Sequence, residues 1–434
     1  MDKTTMLALA LALSALPAFG MNSGGTAPAE AATPTTPGTR APITLAEARD
    51  RAMRWNPDLA AAAAAVRAAD GAWRQARAFP NPDFSIDYDG FGGKIPEQTE
   101  AQTLYALEQL VEIGGKRGAR SREREIARTV SQGDAEVRRR DLLAEVKRRF
   151  VGVLGLQERG KILEGALRTA ETVQRTVHEL VVAGEVSPIE ELKVESDASL
   201  ARIDLRAAAS GLAIARQKLA ELWGRRVPDF GDAAGELDMP ATLPSRGDLE
   251  QRMASLPDIA RGEADVSRLE AALESEKKKR IPDLTLSAGL QQYRAYGDHS
   301  YVAGVKIPLP VFDRNAGAIA EASSRLEQGR YERSAAEARI VGALSSAQER
   351  LAATADEAVA LRDTVLPRAR QVLEGIEEGY RRGKFRLLDL LDARRSLAAA
   401  ELRYNDALVE LNLAEAEVER WTGTTVTEAQ GGTR

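Results

Sequence analysis

Asp389 and Asp392 are the residues of this sequence whose type and spacing could do chemistry together. They lie three positions apart in a segment with helical periodicity, so both carboxylates share one helix face. Two carboxylates on one helix face attract cations. The competing interpretation is an ordinary solvated helix face, because Arg386, Arg394 and Arg395 flank the pair. This segment alone leaves both interpretations open.

The other residues that could carry chemistry are dispersed along the chain. His178 and His299 lie in different segments, the six methionines are scattered, and there is no cysteine. The lack of cysteine excludes disulfides, thiolate metal sites and cysteine nucleophiles. No group of residues has the spacing of a transition-metal site or of a catalytic constellation. We therefore expect no metal site, no cofactor and no enzymatic activity.

The composition indicates long helices in an exported protein. Charged residues make up 29% of the chain and aromatic residues only 5%, which is typical of long helices. The 60 basic and 65 acidic residues are mixed, which indicates no nucleic-acid partner. We expect a signal peptide at 1–20, with a buried terminal helix as the alternative, and a disordered lead-in at 21–42. No later run reaches the ~18 to 20 apolar residues of a membrane-spanning helix, so any membrane insertion would use strands.

The chain contains an internal repeat with an offset of 200 residues. NPDLA at 56–60 matches LPDIA at 256–260, and NPDF at 81–84 matches IPDL at 281–284. Two matches at one offset predict a duplication. We expect a first structural repeat at 43–246, a second at 247–421 and a C-terminal tail at 422–434.

Each repeat follows the same plan. A leading helix comes first, predicted as one helix over Thr44–Ala78 with Thr44 and Glu47 as a capping box. A β-hairpin follows, in which apolar and polar residues alternate along the strands. A helix of some 67 residues, roughly 100 Å long at ~1.5 Å per residue, then pairs with a shorter returning helix. The hairpins are predicted at 82–113 and 282–312, and the helical hairpins at 116–223 and 315–421.

Glycines and prolines mark the junction where each β-hairpin passes into its long helix. The junction residues are Gly114, Gly115, Lys116, Pro308, Pro310, Asp313 and Asn315. Pro308 and Pro310 lack amide donors and must end the preceding strand. Asp313 and Asn315 then offer side-chain oxygens that can cap the helix. We interpret this junction as the place where a sheet bends into a helical segment.

Two hairpins supply four strands, which cannot close into a barrel. Open strand edges are not viable in lipid, so a chain that inserts these strands into a membrane must oligomerise. Three copies would supply twelve strands. A soluble sheet with one wet face fits the alternation about equally well. The combination of export signal, hairpins and very long helices favours the membrane interpretation.

Four motifs resemble those of one known family. VEIGGKR at 111–117 is similar to its ELGGKR junction, and IPLPVFDRN at 307–315 is similar to the IPLPLFDRN junction of its heavy-metal branch. AGEVSP at 183–188 and YRRGKF at 380–385 resemble its two helix-tip turns. The chain after Pro42 therefore resembles the TolC-like outer-membrane efflux channels, most closely the CzcC and CusC type.

The resemblance implies a mainly α-helical homotrimer with a membrane β-barrel part. Its twelve-stranded barrel, surrounded by outer-membrane lipid, would continue into a periplasmic α-helical barrel. It implies a passive exit duct, for heavy-metal cations, in a tripartite system with a periplasmic adaptor protein and an inner-membrane RND-type pump. A channel for drug export or type I protein secretion is the alternative. A periplasmic coiled-coil adaptor or structural protein is a more distant one.

The resemblance also implies roles for particular residues. Asp389 and Asp392 would ring the constricted periplasmic entrance, where six carboxylates of a trimer favour cations. Tyr380 would help to hold the entrance closed, although its usual arginine partner is replaced here by Phe385. The expected adaptor contacts are Gly184, Glu185, Val186, Ser187, Gly383, Lys384 and Phe385.

Overall fold

The computed structural model describes residues 40–90, 101–237, 239, 247, 256–294 and 297–422. From Ala41 onward they belong to one compact unit. The predicted signal peptide, and most of the predicted lead-in and tail, lie outside the described residues. Ala41, near the end of the predicted lead-in, accepts a 2.9 Å hydrogen bond from the Gly231 amide through its carbonyl.

The leading segment of the first half consists of two helices, so the prediction of a single helix was wrong. These are α1 (Leu45–Trp55) and α2 (Pro57–Arg77). Thr44 and Glu47 form the predicted capping box of α1. Pro57 disfavours helical backbone at the residue before it, and Asn56 is extended. The Asn56 side chain then caps α2 by accepting the Leu59 amide at 2.9 Å.

Long helices make up most of the described chain. In the first half, α3 spans Lys116–Val182 and α4 returns over Pro188–Glu221. In the second half, the helices are α5 (Pro257–Lys278), α6 (Ala316–Ala360), α7 (Leu366–Arg381) and α8 (Leu387–Thr422). A π-helix at Leu361–Val365 joins α6 to α7. It was not predicted, and it precedes Pro367, whose ring would clash with the carbonyl four residues back in a regular α-helix.

Leading and returning helices meet end to end beside the long helices. In the first half, Asn56 Nδ2 donates to the Leu222 carbonyl at 2.8 Å. In the second half, Arg420 of α8 lies 3.9 Å from Asp258 at the start of α5. A two-residue parallel pair, β1 (Ile43–Thr44) with β4 (Ala233–Ala234), covers the first joint and was not predicted. The core around it includes Val146, Phe150, Val153, Leu219, Trp223 and Phe230.

The four predicted hairpin strands form one antiparallel sheet. They are β2 (Asp83–Asp89), β3 (Gln102–Val111), β5 (Leu284–Tyr293) and β6 (Asp298–Lys306), in the order β2-β3-β5-β6. The register places Phe84 opposite Leu107, and Leu290 opposite Tyr301, on one face. Ser287 and Glu108 pair on the other face. The sheet therefore has an exposed apolar face and a polar face.

The edges of this sheet, β2 and β6, pair with no further strand of the described chain. No helix in the described ranges combines the length and the apolar character that crossing a membrane requires.

Candidate functional site

The two predicted tip turns share one backbone geometry. Gly184 and Gly383 adopt φ values of 74° and 71°. The amides of Gly184 and Glu185 donate to the carbonyls of Val181 and Leu180 at 3.0 and 2.9 Å. The amides of Gly383 and Lys384 donate to Tyr380 and Gly379 at 2.9 and 2.8 Å. Both turns are Schellman motifs, which need a left-handed residue and therefore favour glycine.

The side chains of the tip turns divide between structural and exposed roles. Ser187 caps α4 by accepting the Ile189 amide at 3.3 Å. Val186 packs against the apolar cluster formed by Val173, Val177, Val194 and Leu391. Glu185 and Lys384 are exposed. Since Leu391 belongs to α8 and the valines to α3 and α4, this cluster joins the two helical hairpins just behind their tips.

The candidate gate aspartates are both held by arginines or backbone amides. The Asp389 carboxylate accepts the Arg386 amide at 2.9 Å, which caps the start of α8. Asp392 lies 3.6 Å from Arg395, and its side chain is 62% exposed. Asp389 is about half as exposed, at 35%. Asp392 is therefore the aspartate more available to a passing cation.

Arg395 connects the two helical hairpins at the tip. It pairs with Asp392 one turn earlier on α8 and with Asp197 on α4. Its neighbour Arg394 instead pairs with Glu377 of α7 at 2.9 Å, within the same hairpin. No local sequence pattern predicts the Arg395–Asp197 pair, because its partners are 198 positions apart.

Tyr380 is half-buried, and no hydrogen bond of its hydroxyl group is found within the described residues. Phe385 lies against Gly379, where a Cβ atom would overlap the aromatic ring. The aromatic side chain thus fills the position in which the resemblance predicts an arginine.

His178 links α3 to α4 near the first tip. Its Nδ1 atom lies 2.6 Å from Glu191 Oε1. The hydrogen bond and the charge of Glu191 raise the pKa of His178, and the charges of Glu179 and Glu195 add to the effect. Among the described residues, no three His, Asp or Glu side chains are arranged to hold a metal ion.

The first junction depends on its two glycines. Gly114 and Gly115 have φ values of 73° and 76°. A Cβ atom at Gly114 would lie 2.6 Å from Ile281 Cδ1, so a side chain is excluded on two grounds. Lys116 pairs with Asp283 at 2.8 Å. The strand was predicted to reach Ile113 but ends at Val111, because the Ile113 amide donates to Asp283 at 3.2 Å instead of to a neighbouring strand.

The second junction differs from the prediction at Asn315. This residue has a φ of 57°, and its side chain makes no capping bond to α6. Its side-chain amide instead donates to the Glu276 carbonyl and carboxylate, at 2.8 and 3.0 Å. The Asp313 carboxylate accepts a hydrogen bond from the backbone amide of Asn315 at 2.9 Å. Asparagine tolerates left-handed backbone, so it turns the chain here and ties α6 to α5. β6 ends at Lys306, before Pro308 and Pro310.

A buried ionic network was also not predicted from the sequence. Lys147 of α3 contacts Glu415 and Glu419 of α8 at 2.9 and 2.7 Å, and Arg49 lies 3.4 Å from Glu419. Lys147 lies between the buried residues Val146 and Phe150 of α3. A lysine at such a position indicates an ionic partner, since unpaired charges are rarely buried. The network fixes the first long helix against the last helix of the second half.

Long helical hairpins, an amphipathic four-stranded sheet and paired tip turns together define a fold that is also found in a solved structure. The crystal structure of CusC superimposes with a TM-score of 0.73 at 17% identity, over 90% of this chain and 95% of that chain.

Sequence comparison gives the family directly. The profile of the Outer membrane efflux protein family matches residues 48–225 and 249–424, one segment in each half. The cobalt-zinc-cadmium resistance protein CzcC of Cupriavidus metallidurans is 33% identical over 385 residues, covering 88% of this chain and 90% of its own. The nickel-cobalt-cadmium resistance protein NccC of Alcaligenes xylosoxydans xylosoxydans is 28% identical over 64% of this chain and 65% of its own. The chain belongs to the outer membrane efflux protein family. The predicted family, the outer-membrane location and the non-enzymatic role are thereby confirmed.

Proposed function

We propose that three copies of this chain form a channel through which an efflux system expels heavy-metal cations across the outer membrane. Each copy contributes four strands to a twelve-stranded barrel and its long helices to a periplasmic tunnel. Transport through the channel is passive, and an inner-membrane RND-type pump with a periplasmic adaptor supplies the driving force. The names of CzcC and NccC support cobalt, cadmium and related divalent cations as cargo.

The observation that carries this proposal is the open four-stranded sheet. Its edges β2 and β6 are unpaired within the described chain, and its apolar face is exposed. Tyr301 is 84% exposed, Val305 64% and Phe84 62%. Open edges and apolar side chains are costly in water, and ring closure with two further copies in lipid satisfies both. The polar face, with Glu108 and Ser287, would then line the lumen.

The tip residues are proposed to form the gate and the adaptor contact. Asp389 and Asp392 lie at the start of α8, next to the second tip turn. In a trimer, this end of the helices would bring six carboxylates towards one axis and favour cations over anions. Exposed Glu185 and Lys384 would meet the adaptor, together with Phe385.

A deletion strain tests the cargo. Loss of the gene is expected to lower tolerance to cobalt, zinc and cadmium, and plasmid-borne wild type is expected to restore it. Tolerance to organic antibiotics serves as the matched comparison, because a drug channel would show the reverse pattern. Unchanged metal tolerance in a strain without a second such channel would refute the metal assignment.

Membrane fractionation tests the assembly. We expect heat-modifiable trimers in the outer-membrane fraction. A monomer in the soluble periplasmic fraction would contradict the channel itself, whatever its cargo.

A further inference from the structure

Four segments meet at one end of the sheet, where the helices begin. β2 starts there at Asp83 and β3 ends there at Val111, while β5 starts at Leu284 and β6 ends at Lys306. The register places three of these ends level, since Val111 pairs with Leu284 and Thr285 with Lys306. Asp83 pairs with Glu108, and the chain just before β2 reaches the same level, where Gln109 Nε2 donates to the Pro80 carbonyl at 3.1 Å. The residues flanking these four strand ends therefore lie at one level of the molecule.

This level carries large exposed apolar side chains. Phe312 is fully exposed at 101%, Leu309 is 77% exposed and Phe79 74%. Phe79 precedes β2 and Phe312 follows β6, so they stand at the two open edges of the sheet. Pro308 and Pro310 keep the segment around Leu309 from joining the ladder. Exposed apolar patches that are rimmed by polar residues mark protein or membrane contact sites.

The same level has a basic charge. The segments 74–83, 111–120, 274–284 and 306–316 hold eleven basic and six acidic residues, a net charge of +5 in a chain whose net charge is -5. Lys277 and Lys279 are paired with Glu274 and Glu276. Three further cations are exposed and pair with no carboxylate of the described residues. They are Lys278, Arg280 and Arg314.

One contact joins the apolar and basic groups. The Arg117 guanidinium stacks on the Phe79 ring, 3.6 Å from its centroid. An arginine on an exposed aromatic ring covers an apolar surface while keeping its charge outward. We call the exposed apolar residues Phe79, Leu309 and Phe312, with Arg117 and the three unpaired cations Lys278, Arg280 and Arg314, the junction collar.

We propose that the junction collar binds the phosphate groups of anionic phospholipids in the periplasmic leaflet of the outer membrane. Phe79, Leu309 and Phe312 would enter the acyl boundary, and the cations would lie at headgroup level. This inference rests on the proposed barrel, because strand ends mark the membrane boundary only if the strands cross the membrane. Cations immediately beside a membrane-inserted segment bind anionic headgroups, and the attraction grows with each Lys or Arg.

The experiment compares lipid retention by purified protein. Wild type is placed in nanodiscs of phosphatidylethanolamine with or without phosphatidylglycerol, and retained lipid is counted by native mass spectrometry after detergent release. The collar variant is K278Q/R280Q/R314Q. The matched control, R368Q/R206Q/R175Q, removes three exposed cations of the helices.

We expect wild type and control to retain phosphatidylglycerol preferentially. In the collar variant, the preference for phosphatidylglycerol over phosphatidylethanolamine should fall at least about tenfold, since each cation contributes on the order of 1 kcal/mol at a membrane surface. Added salt should weaken the preference in wild type without any mutation.

Equal retention by the collar and control variants would overturn the proposal. Loss of the trimer with unchanged phosphatidylglycerol per chain would also overturn it, by assigning the collar to a contact between copies. Conductance of the same preparations in planar phosphatidylethanolamine bilayers separates the two proposals. A conducting wild type without lipid preference refutes the collar alone, whereas no conductance refutes the channel.

Discussion

At the scale of single residues, Gly155 shows how closely the two halves approach. It is buried in α3, and a Cβ atom there would overlap Val409 Cγ2 of α8. Its carbonyl also accepts the Asn405 amide at 3.1 Å. Gly160, one turn further along α3, has nothing within 4 Å of its Cβ position. These two glycines therefore form a natural comparison within one helix.

Gly155→Ala is expected to destabilise the protein, because overpacking costs about 1–3 kcal/mol and exceeds the gain in helix propensity. Gly160→Ala should stabilise it by about 0.5–1 kcal/mol. Thermal unfolding followed by circular dichroism measures the difference. Equal stabilisation by both alanines would show that α3 and α8 do not pack this closely.

His178 provides a pH-dependent contact. Its pKa is raised by Glu191, so the charged pair stabilises the fold below the unfolded pKa of about 6.5 and is lost as pH rises through the folded pKa. We expect NMR titration of His178 to give a midpoint above that of an unfolded histidine. Glu191→Gln should lower the midpoint more than Glu179→Gln, whose charge acts without a hydrogen bond. Equal shifts in the two variants would exclude the direct contact.

At the scale of elements, the tip depends on how α8 is held. Arg395 ties α8 to α4 of the other hairpin, whereas Arg394 ties it to α7 of its own hairpin. If the hairpins must separate when the channel opens, only the first of these ion pairs has to break. Exposed ion pairs are individually weak, so such a link can be broken by a binding partner.

Arg395→Ala is expected to raise open-channel conductance or its frequency severalfold in planar bilayers, because it removes the link between hairpins. Arg394→Ala removes an ion pair within one hairpin, so the two hairpins stay linked. This variant should leave conductance near that of wild type. Equal conductance of the two variants would argue that the Arg395–Asp197 ion pair does not hold the channel closed.

At the scale of the whole molecule, the proposed gate exists only when three chains meet. Asp389 and Asp392 of one chain are ordinary helix carboxylates, held by Arg386 and Arg395. Six such carboxylates near one axis would repel one another and attract divalent cations. The electrostatic property thus belongs to the assembly.

Asp389→Asn with Asp392→Asn is expected to weaken block by cobalt added on the periplasmic side at least several-fold, since asparagine keeps a capping oxygen but removes the charge. A control with Asp204→Asn and Asp356→Asn removes two exposed aspartates of α4 and α6. Single-channel recording with and without cobalt measures both. Unchanged block in the gate variant would remove the gate assignment.

The sequence by itself determined the elements whose cause is local. Helical periodicity and Schellman glycines set α3 from Lys116 to Val182 and the turns at Gly184 and Gly383. The alternation of apolar and polar residues predicted the four strands, and prolines marked strand boundaries. The resemblance of the junction and tip motifs identified the family, because these short backbone constraints accept few residues.

The tertiary structure decided what depends on contacts between distant positions. The Lys147 network, the Arg395–Asp197 pair and the small β1–β4 pair join residues about 190 to 270 positions apart, and no local periodicity encodes such partners. Asn315 was expected to cap α6, but the carbonyl of Glu276 on α5 offered its amide a better partner. The alignment of apolar residues across all four strands likewise depends on register, which a one-residue slip would invert.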